Sequence, residues 1–282
     1  MPSLSAAYFA AATGLLKRAY EVNRPVLEKL GGVIGPSVAT GGMIHTFGSG
    51  HSEIISREIV GRAGGLVCVS GIYDPGGGLS ENVVGYGAQL VERHDRQYGL
   101  RAGETIIVIS NSGKNCSPLE VALYAKQKRL TVVGLTCVEI SKTAATVHPG
   151  GKKLHEIADY VLDNCGTPGD AIVEIESKPR TGRPTAGLAK AGLPADLSAK
   201  ASATAESSAK AGLPAVGSAK AGPTSTIVGA ALLNLLSLEV IDWLKAHGHE
   251  PPVIRSQNVP GGIEHNRELA KKYAGRLSKP LA

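Results

Sequence analysis

At 282 residues, with 43% apolar but only 4% aromatic content, the chain can hold one large or two small domains, and their core must be built from Ala, Val, Ile and Leu. The net charge of +6 suggests nucleic-acid binding, but seven cations between Ser177 and Gly222, set against Asp196 and Glu206, hold five of the six charges. The remainder is near neutral and has no basic, aromatic-interleaved stripe, so no nucleic-acid partner is expected. There is no signal-peptide pattern at the start, and Asn234 interrupts the longest apolar run, Ile227 to Leu236, so no membrane partner is expected either. Cys68, Cys116, Cys137 and Cys165 lack zinc-type spacing and read as reduced thiols of a cytoplasmic protein.

Residues from about Leu4 to Leu30 predict a helix, with Leu15, Leu16, Ala19, Val22, Val26, Leu27 and Leu30 on one broad face and a stop at Gly31-Gly32. Residues 1–34 are expected to pack on the main domain or on a partner subunit. A first strand, Met43 to Phe47, runs into Gly48-Ser49-Gly50-His51-Ser52 and a helix over Glu53 to Ala63. The glycine pair lacks the third glycine of the dinucleotide fingerprint, so no nucleotide cofactor is expected. Glu58 lies two turns beyond His51 and can point into a site or pair with Arg57 or Arg62. A short second strand, Leu66 to Ser70, precedes a glycine-rich loop, Gly71 to Gly78, and a helix from Glu81 to His94 that leaves His94 exposed among charged neighbours.

The central strand is Ile106-Ile107-Val108-Ile109, apolar throughout and so buried on both faces. It stops at Ser110. Asn111, Ser112, Gly113, Lys114 and Asn115 follow, and Ser117 is expected to N-cap a helix with Pro118 in its first turn. Three hydroxyls, an amide and a cation thus converge at a helix N-terminus, with no carboxylate among them. That pattern suits a phosphate. Strands four and five are expected at Leu130 to Leu135, ending on the hydroxyl of Thr136, and at Asp159 to Leu162.

Residues 177–222 form a decapeptide repeat: Ser-Ala-Lys recurs at 198, 208 and 218, and Gly-Leu-Pro-Ala at 192 and 212. This composition has too little apolar surface to offset its ordering entropy and reads as a disordered or weakly helical insertion between two ordered parts. Residues 223–282 return to periodic sequence. Thr224, Ser225 and Thr226 open a helix whose cap is Thr224 or Ser225, Ile227 to Leu244 reads as buried, and Glu264-His265-Asn266 opens the last helix. A histidine at a helix N-terminus is held neutral, in the form that acts as a base. His45, His51 and His265 have no spacing that demands a metal.

Together these segments resemble the SIS (sugar isomerase) domain. The resemblance rests on Ser110-Asn111-Ser112-Gly113, Gly48-Ser49-Gly50-His51-Ser52, Glu58-Ile-Val-Gly-Arg62, Gly222-Pro-Thr-Ser-Thr226 and Glu264-His-Asn266. It implies a flavodoxin-like α/β fold over 35–176, with a five-stranded parallel sheet between helices, completed by 223–282 and assembled as a homodimer or homotetramer. It implies phosphate contacts from Ser110, Ser112 and Gly113 and a first-loop contact from Ser49 or Ser52, and the donors of the same loop add Asn111, Lys114, Asn115 and Ser117, with Asn115 standing where such loops commonly have Thr or Ser. Sugar contacts would come from Ser49, Gly50, His51, Ser52, Thr136, Thr224, Ser225 and Thr226. The activity it implies is aldose–ketose isomerisation of a sugar phosphate through an enediol, with Glu58 and His265 moving protons and no cofactor or metal. The alternatives are a lyase (etherase) on an amino-sugar phosphate and a non-catalytic phosphosugar sensor.

Overall fold

The computed structural model describes residues 3–175 and 219–280. Most of the repeat segment lies outside the described residues. In chain order the elements are α1 (Leu4–Ala39), β1 (Ile44–Gly48), α2 (His51–Glu58), β2 (Val69–Ile72), α3 (Tyr86–Tyr98), β3 (Thr105–Ile109), α4 (Cys116–Gln127), β4 (Thr131–Thr136), α5 (Val138–Thr143), α6 (Leu154–Ile157), β5 (Tyr160–Asp163), β6 (Ala171–Glu174), β7 (Lys220–Pro223), α7 (Ser225–Ala246) and α8 (Gly262–Lys271). The expected five-stranded parallel sheet is present, in the order β2-β1-β3-β4-β5.

Alternation along β3 divides the core. Ile107 and Ile109 face a cluster built from α1, α2 and α7, while Ile106 and Val108 face α3, α4 and α6. Both faces are covered, which is why the strand is apolar throughout. The chain winds one way from β1 to β2 and then crosses β1 to reach β3, so the winding reverses between β1 and β3. Ligands bind at such a reversal in open α/β sheets.

Several elements depart from expectation. Gly31-Gly32 does not end α1. A Cβ on Gly31 would sit 2.8 Å from the Glu239 carbonyl oxygen, and one on Gly35 would sit 2.1 Å from the Trp243 ring. Gly31 lets α1 approach the backbone of α7, and Gly35 makes room for the Trp243 ring. Asn234 does not break α7; its Nδ2 turns back to the Ala230 carbonyl oxygen. By length and composition this 22-residue helix is apolar enough to cross a membrane, and here Leu232, Leu233, Leu236, Val240 and Leu244 are buried in the core cluster it shares with α1. Thr224 holds its N-cap position, as expected, but the Thr224 side chain makes no capping bond. Instead, Asp170 accepts from the backbone N–H and hydroxyl of Ser225 at 2.8 and 2.5 Å.

The second strand lies later than predicted, because Leu66 and Val67 pair with the extended segment around Val253: Leu66 bridges Val253, and Val67 N donates to Pro252 O. β6 and β7 form a two-stranded antiparallel ribbon absent from the prediction, and Lys220 to Gly222, the end of the repeat, belong to it. The helix expected from Glu81 begins at Tyr86. Gly85 sits at φ +89°, outside helical space, and its N–H donates to the Glu120 carboxylate at 2.5 Å. Ser117 is not the cap of α4; Asn115 holds that position.

His94 is buried, not exposed. Its Nε2 lies 3.2 Å from His45 Nδ1, and His45 Nε2 lies 3.1 Å from Glu104. Glu104 also holds the Arg276 guanidinium at 2.8 Å. Glu104 is drawn down to about 2 by its hydrogen bonds to His45 and Arg276, against the opposing effect of burial. It is therefore an anion, so His45 Nε2 carries a proton, His45 Nδ1 accepts, and His94 donates. Burial holds both rings below the ordinary histidine range, His94 at about 3.

Candidate functional site

The β1/β3 register aligns Gly48 with Ile109. Ser49 and Ser110 therefore leave the sheet side by side, and the loops after the two strands form opposite banks of one cleft of about 500 Å³. Ser49, Gly50, His51 and Ser52 line one bank, and Ser110, Asn111, Ser112 and Asn115 line the other. Ser225, at the start of α7, reaches the same cleft.

The β3–α4 loop is held from beneath. Asn111 O accepts from Cys137 N at 2.9 Å and from Thr136 Oγ1 at 3.2 Å, and Asn111 Oδ1 accepts from Asn164 Nδ2 at 2.8 Å. Asn111 Nδ2 remains a donor. Ser110 Oγ accepts from Gly113 N at 3.2 Å, which leaves its own proton free to donate. Gly113 is at φ +61°, and a Cβ there would meet Ser141 Oγ at 2.6 Å, so close packing against α5 demands the glycine.

Not every predicted site residue faces the cleft. Ser117 is fully buried with no hydrogen-bond partner for its hydroxyl, and Thr224 is the same. Thr136 is buried and holds Asn111. Gly113, Lys114 and Thr226 are not among the lining residues. The Lys114 charge nevertheless reaches the site, because it acts on Glu81. Cys116 is a packing residue, and burial pushes its thiol up, outweighing any help from the helix N-terminus. Glu58 lies at the far end of α2, roughly 10 Å along the helix from His51. It is ion-paired with Arg62 and does not line the cleft. His265 Nε2 faces the Val253 carbonyl oxygen at 3.1 Å and lines a separate cavity of about 490 Å³ with Val38, Leu244 and Tyr273. That cavity lies at the opposite, N-terminal edge of the sheet, where α1 leads into β1.

The structure adds carboxylates that the sequence did not assign to the site. Glu81 and Asp170 line the cleft. Asp74 stands just behind, accepting from Ser49 Oγ at 2.8 Å, Tyr86 OH at 2.7 Å, Gly76 N at 2.8 Å and Gly78 N at 3.0 Å. These bonds hold Asp74 below the ordinary carboxylate range, although burial acts the other way. Glu81 Oε1 accepts from Asn115 Nδ2 at 2.5 Å, and its carbonyl oxygen accepts from Ser117 N at 2.8 Å. Burial first, and the Asp74 charge second, push Glu81 up. One bank of the cleft is thus rich in donors, and a carboxylate of raised basicity faces it.

Glu81 was missed because Ser80 to Val84 read as the first turn of a helix. The one available signal was Gly85, which favours a break there. Asp170 gave no local signal: it lies 55 residues before the serine it caps.

The SIS domain model matches residues 7–137. A UPF0309 protein of Caldanaerobacter subterraneus is 32% identical over 240 residues, spanning 83% of this chain and 82% of its own. Another, from Halalkalibacterium halodurans, is 30% identical over 276 residues, spanning 96% and 94%. Among solved structures, a phosphoheptose isomerase from Francisella tularensis aligns with a TM-score of 0.46 at 13% identity, over 84% of this chain and all of its own. The Vibrio vulnificus NanR protein, solved with ManNAc-6P, aligns with a TM-score of 0.45 at 15% identity, over 96% of this chain and 69% of its own. The chain belongs to the UPF0309 family and carries a SIS domain.

Proposed function

We propose that the chain binds a phosphorylated sugar in the β1/β3 cleft and interconverts its aldose and ketose forms through an enediol. The observation that carries this reading is the cleft itself. At the sheet's reversal point, the hydroxyls of Ser49, Ser52, Ser110 and Ser112 and the amides of Asn111 and Asn115 converge on about 500 Å³ of space. Phosphate oxygens need several convergent donors, and the bank at Ser110, Asn111, Ser112 and Asn115 offers them beside the N-terminus of α4. The opposite bank offers the Ser49 and Ser52 hydroxyls and the Glu81 carboxylate to the sugar. Anchoring the phosphate fixes the sugar carbons against that bank. Glu58 and His265 lie outside this cleft in the single chain and enter the reading only across a contact with a second copy.

Thermal unfolding against sugar phosphates, amino-sugar phosphates and the matching free sugars tests the reading. A ligand that binds only the native state raises the midpoint by mass action. The expected result is a rise with one phosphosugar that is absent with its dephosphorylated form and reduced in Ser112→Ala. Equal rises with and without phosphate would overturn the phosphate assignment. No rise with any sugar phosphate would overturn the function.

A further inference from the structure

The Gly76–Gly85 loop carries Glu81 to the boundary between the two ligand-facing loops. Its carboxylate bonds Asn115 on the β3 side at 2.5 Å and interacts with Ser49 on the β1 side. Its backbone is fixed by the Ser117 N–H, and the neighbouring Gly76 and Gly78 N–H groups by Asp74. The side chain is half-buried and lines the cleft, and among the described residues no Lys or Arg pairs with it within 4.0 Å. Asp170, the other lining carboxylate, spends both oxygens on the start of α7. Asp74 has four donors on it. Glu81 lines the space with the Asn115 amide on its Oε1 and a contact with Ser49, fewer partners than Asp74 has.

We infer that Glu81 is the catalytic residue that carries the proton between C1 and C2 of the sugar, an assignment that rests on the phosphosugar reading above. With the phosphate on the Ser110–Asn115 bank, the Glu81 carboxylate takes the C2 proton of the open-chain aldose. The C2–H electron pair forms the C1=C2 bond, and the C1=O pair moves to O1, which takes a proton from water in the cleft. The enediol then loses its O2 proton to the same water, C2=O2 forms, and Glu81 returns its proton to C1. Electrons and protons balance with no co-reactant. The Asp74 charge and burial make Glu81 a stronger base than a solvated carboxylate. Asn115 holds the oxygen that is not engaged.

The experiment has two stages. The thermal panel first identifies a phosphosugar that raises the midpoint. That ligand is then incubated with the protein in D2O, and ¹H NMR follows loss of the C2 proton and appearance of the isomer. Glu81→Gln is expected to keep the ligand-induced rise while turnover falls by at least about 100-fold. Glu81→Asp, with its carboxylate drawn back, is expected to retain a measurable part of the rate. In the wild type the acid limb of kcat/KM follows a single carboxyl group, and in Glu81→Gln the residual activity loses that limb; a merely structural glutamate would leave it in place. Unliganded midpoints show that both variants are folded. Turnover within a few-fold of wild type in Glu81→Gln overturns the assignment, as does loss of turnover in Glu58→Gln while Glu81→Gln stays active. A wild type that binds the ligand but neither isomerises it nor exchanges its C2 proton overturns the assignment and leaves phosphosugar binding standing. A panel with no rise overturns the phosphosugar reading, and the assignment falls with it.

Discussion

Replacing His94 by Phe probes the buried His45–His94–Glu104–Arg276 chain. The folded protein holds His94 at about 3, against 6.5 for an ordinary histidine, because burial and the His45 ring disfavour its charge. Below pH 6.5 the unfolded chain therefore takes up a proton that the folded chain refuses. The stabilisation is complete above 6.5 and declines, by about 1.4 kcal/mol per pH unit, until the pH reaches about 3. At pH 5.0 the loss from His94 alone is about 2 kcal/mol. His45, lowered by the same burial, adds in the same direction. Glu104 is held at about 2, and its own loss begins only as the pH falls below 4.5. The window from 7.5 to 5.0 thus isolates the histidines. The His94→Phe variant forfeits the 3.2 Å bond to His45 Nδ1, which leaves a buried acceptor unpaired and costs about 1–3 kcal/mol at pH 7.5. It also removes the titration. Urea unfolding followed by circular dichroism at half-unit steps should show the variant less stable at pH 7.5 and the two curves converging towards pH 5.0. Surface histidines shared by both proteins cancel in the difference. Parallel curves would refute the reasoning.

Gly35→Ala drives a methyl group to 2.1 Å from the Trp243 ring, so a loss of about 2–3 kcal/mol in urea unfolding is expected. In the same helix, Gly14 has nothing within 4 Å of its would-be Cβ, so Gly14→Ala should raise stability by about 0.5–1 kcal/mol. Asp170→Ala removes the cap of α7 and should cost about 1–2 kcal/mol, read as a lower thermal midpoint. Glu104→Gln removes the carboxylate that faces Arg276, and because it leaves a buried guanidinium unpaired it should cost about 3–5 kcal/mol at pH 7.5.

What the sequence discloses about this molecule follows from how local each determinant is. The β3 strand and its loop are legible because four apolar residues end abruptly on six small or polar ones, and both facts lie within thirteen residues of chain. The order of the sheet is legible only through family resemblance, since no single strand states its neighbours. Gly31 misleads because the local rule for glycine in a helix is a stop, whereas here the deciding contact is with Glu239, far away in sequence on α7. His94 misleads because its charged neighbours in sequence point elsewhere, and only the packing of α3 against β1 brings it to His45. The carboxylate side of the cleft is illegible for the same reason. Glu81 and Asp170 belong to turns, and their meaning comes from Asn115 and Ser225, which the fold delivers to them.

The β6–β7 ribbon changes what evolution can do with this chain. Ile175 N donates to Ala219 O at 2.7 Å, so the fold is closed on either side of residues 176–218 by the pairing of its own strands. For any flexible chain that joins two ends paired in this way, each doubling of length adds only about 0.6 kcal/mol of closure entropy. A change in the number of ten-residue repeats between the two ends is therefore expected to leave the paired strands standing. A tag, a reporter or a whole domain with adjacent termini, spliced in between Ile175 and Ala219, is expected to leave the register of the sheet and its cleft unchanged.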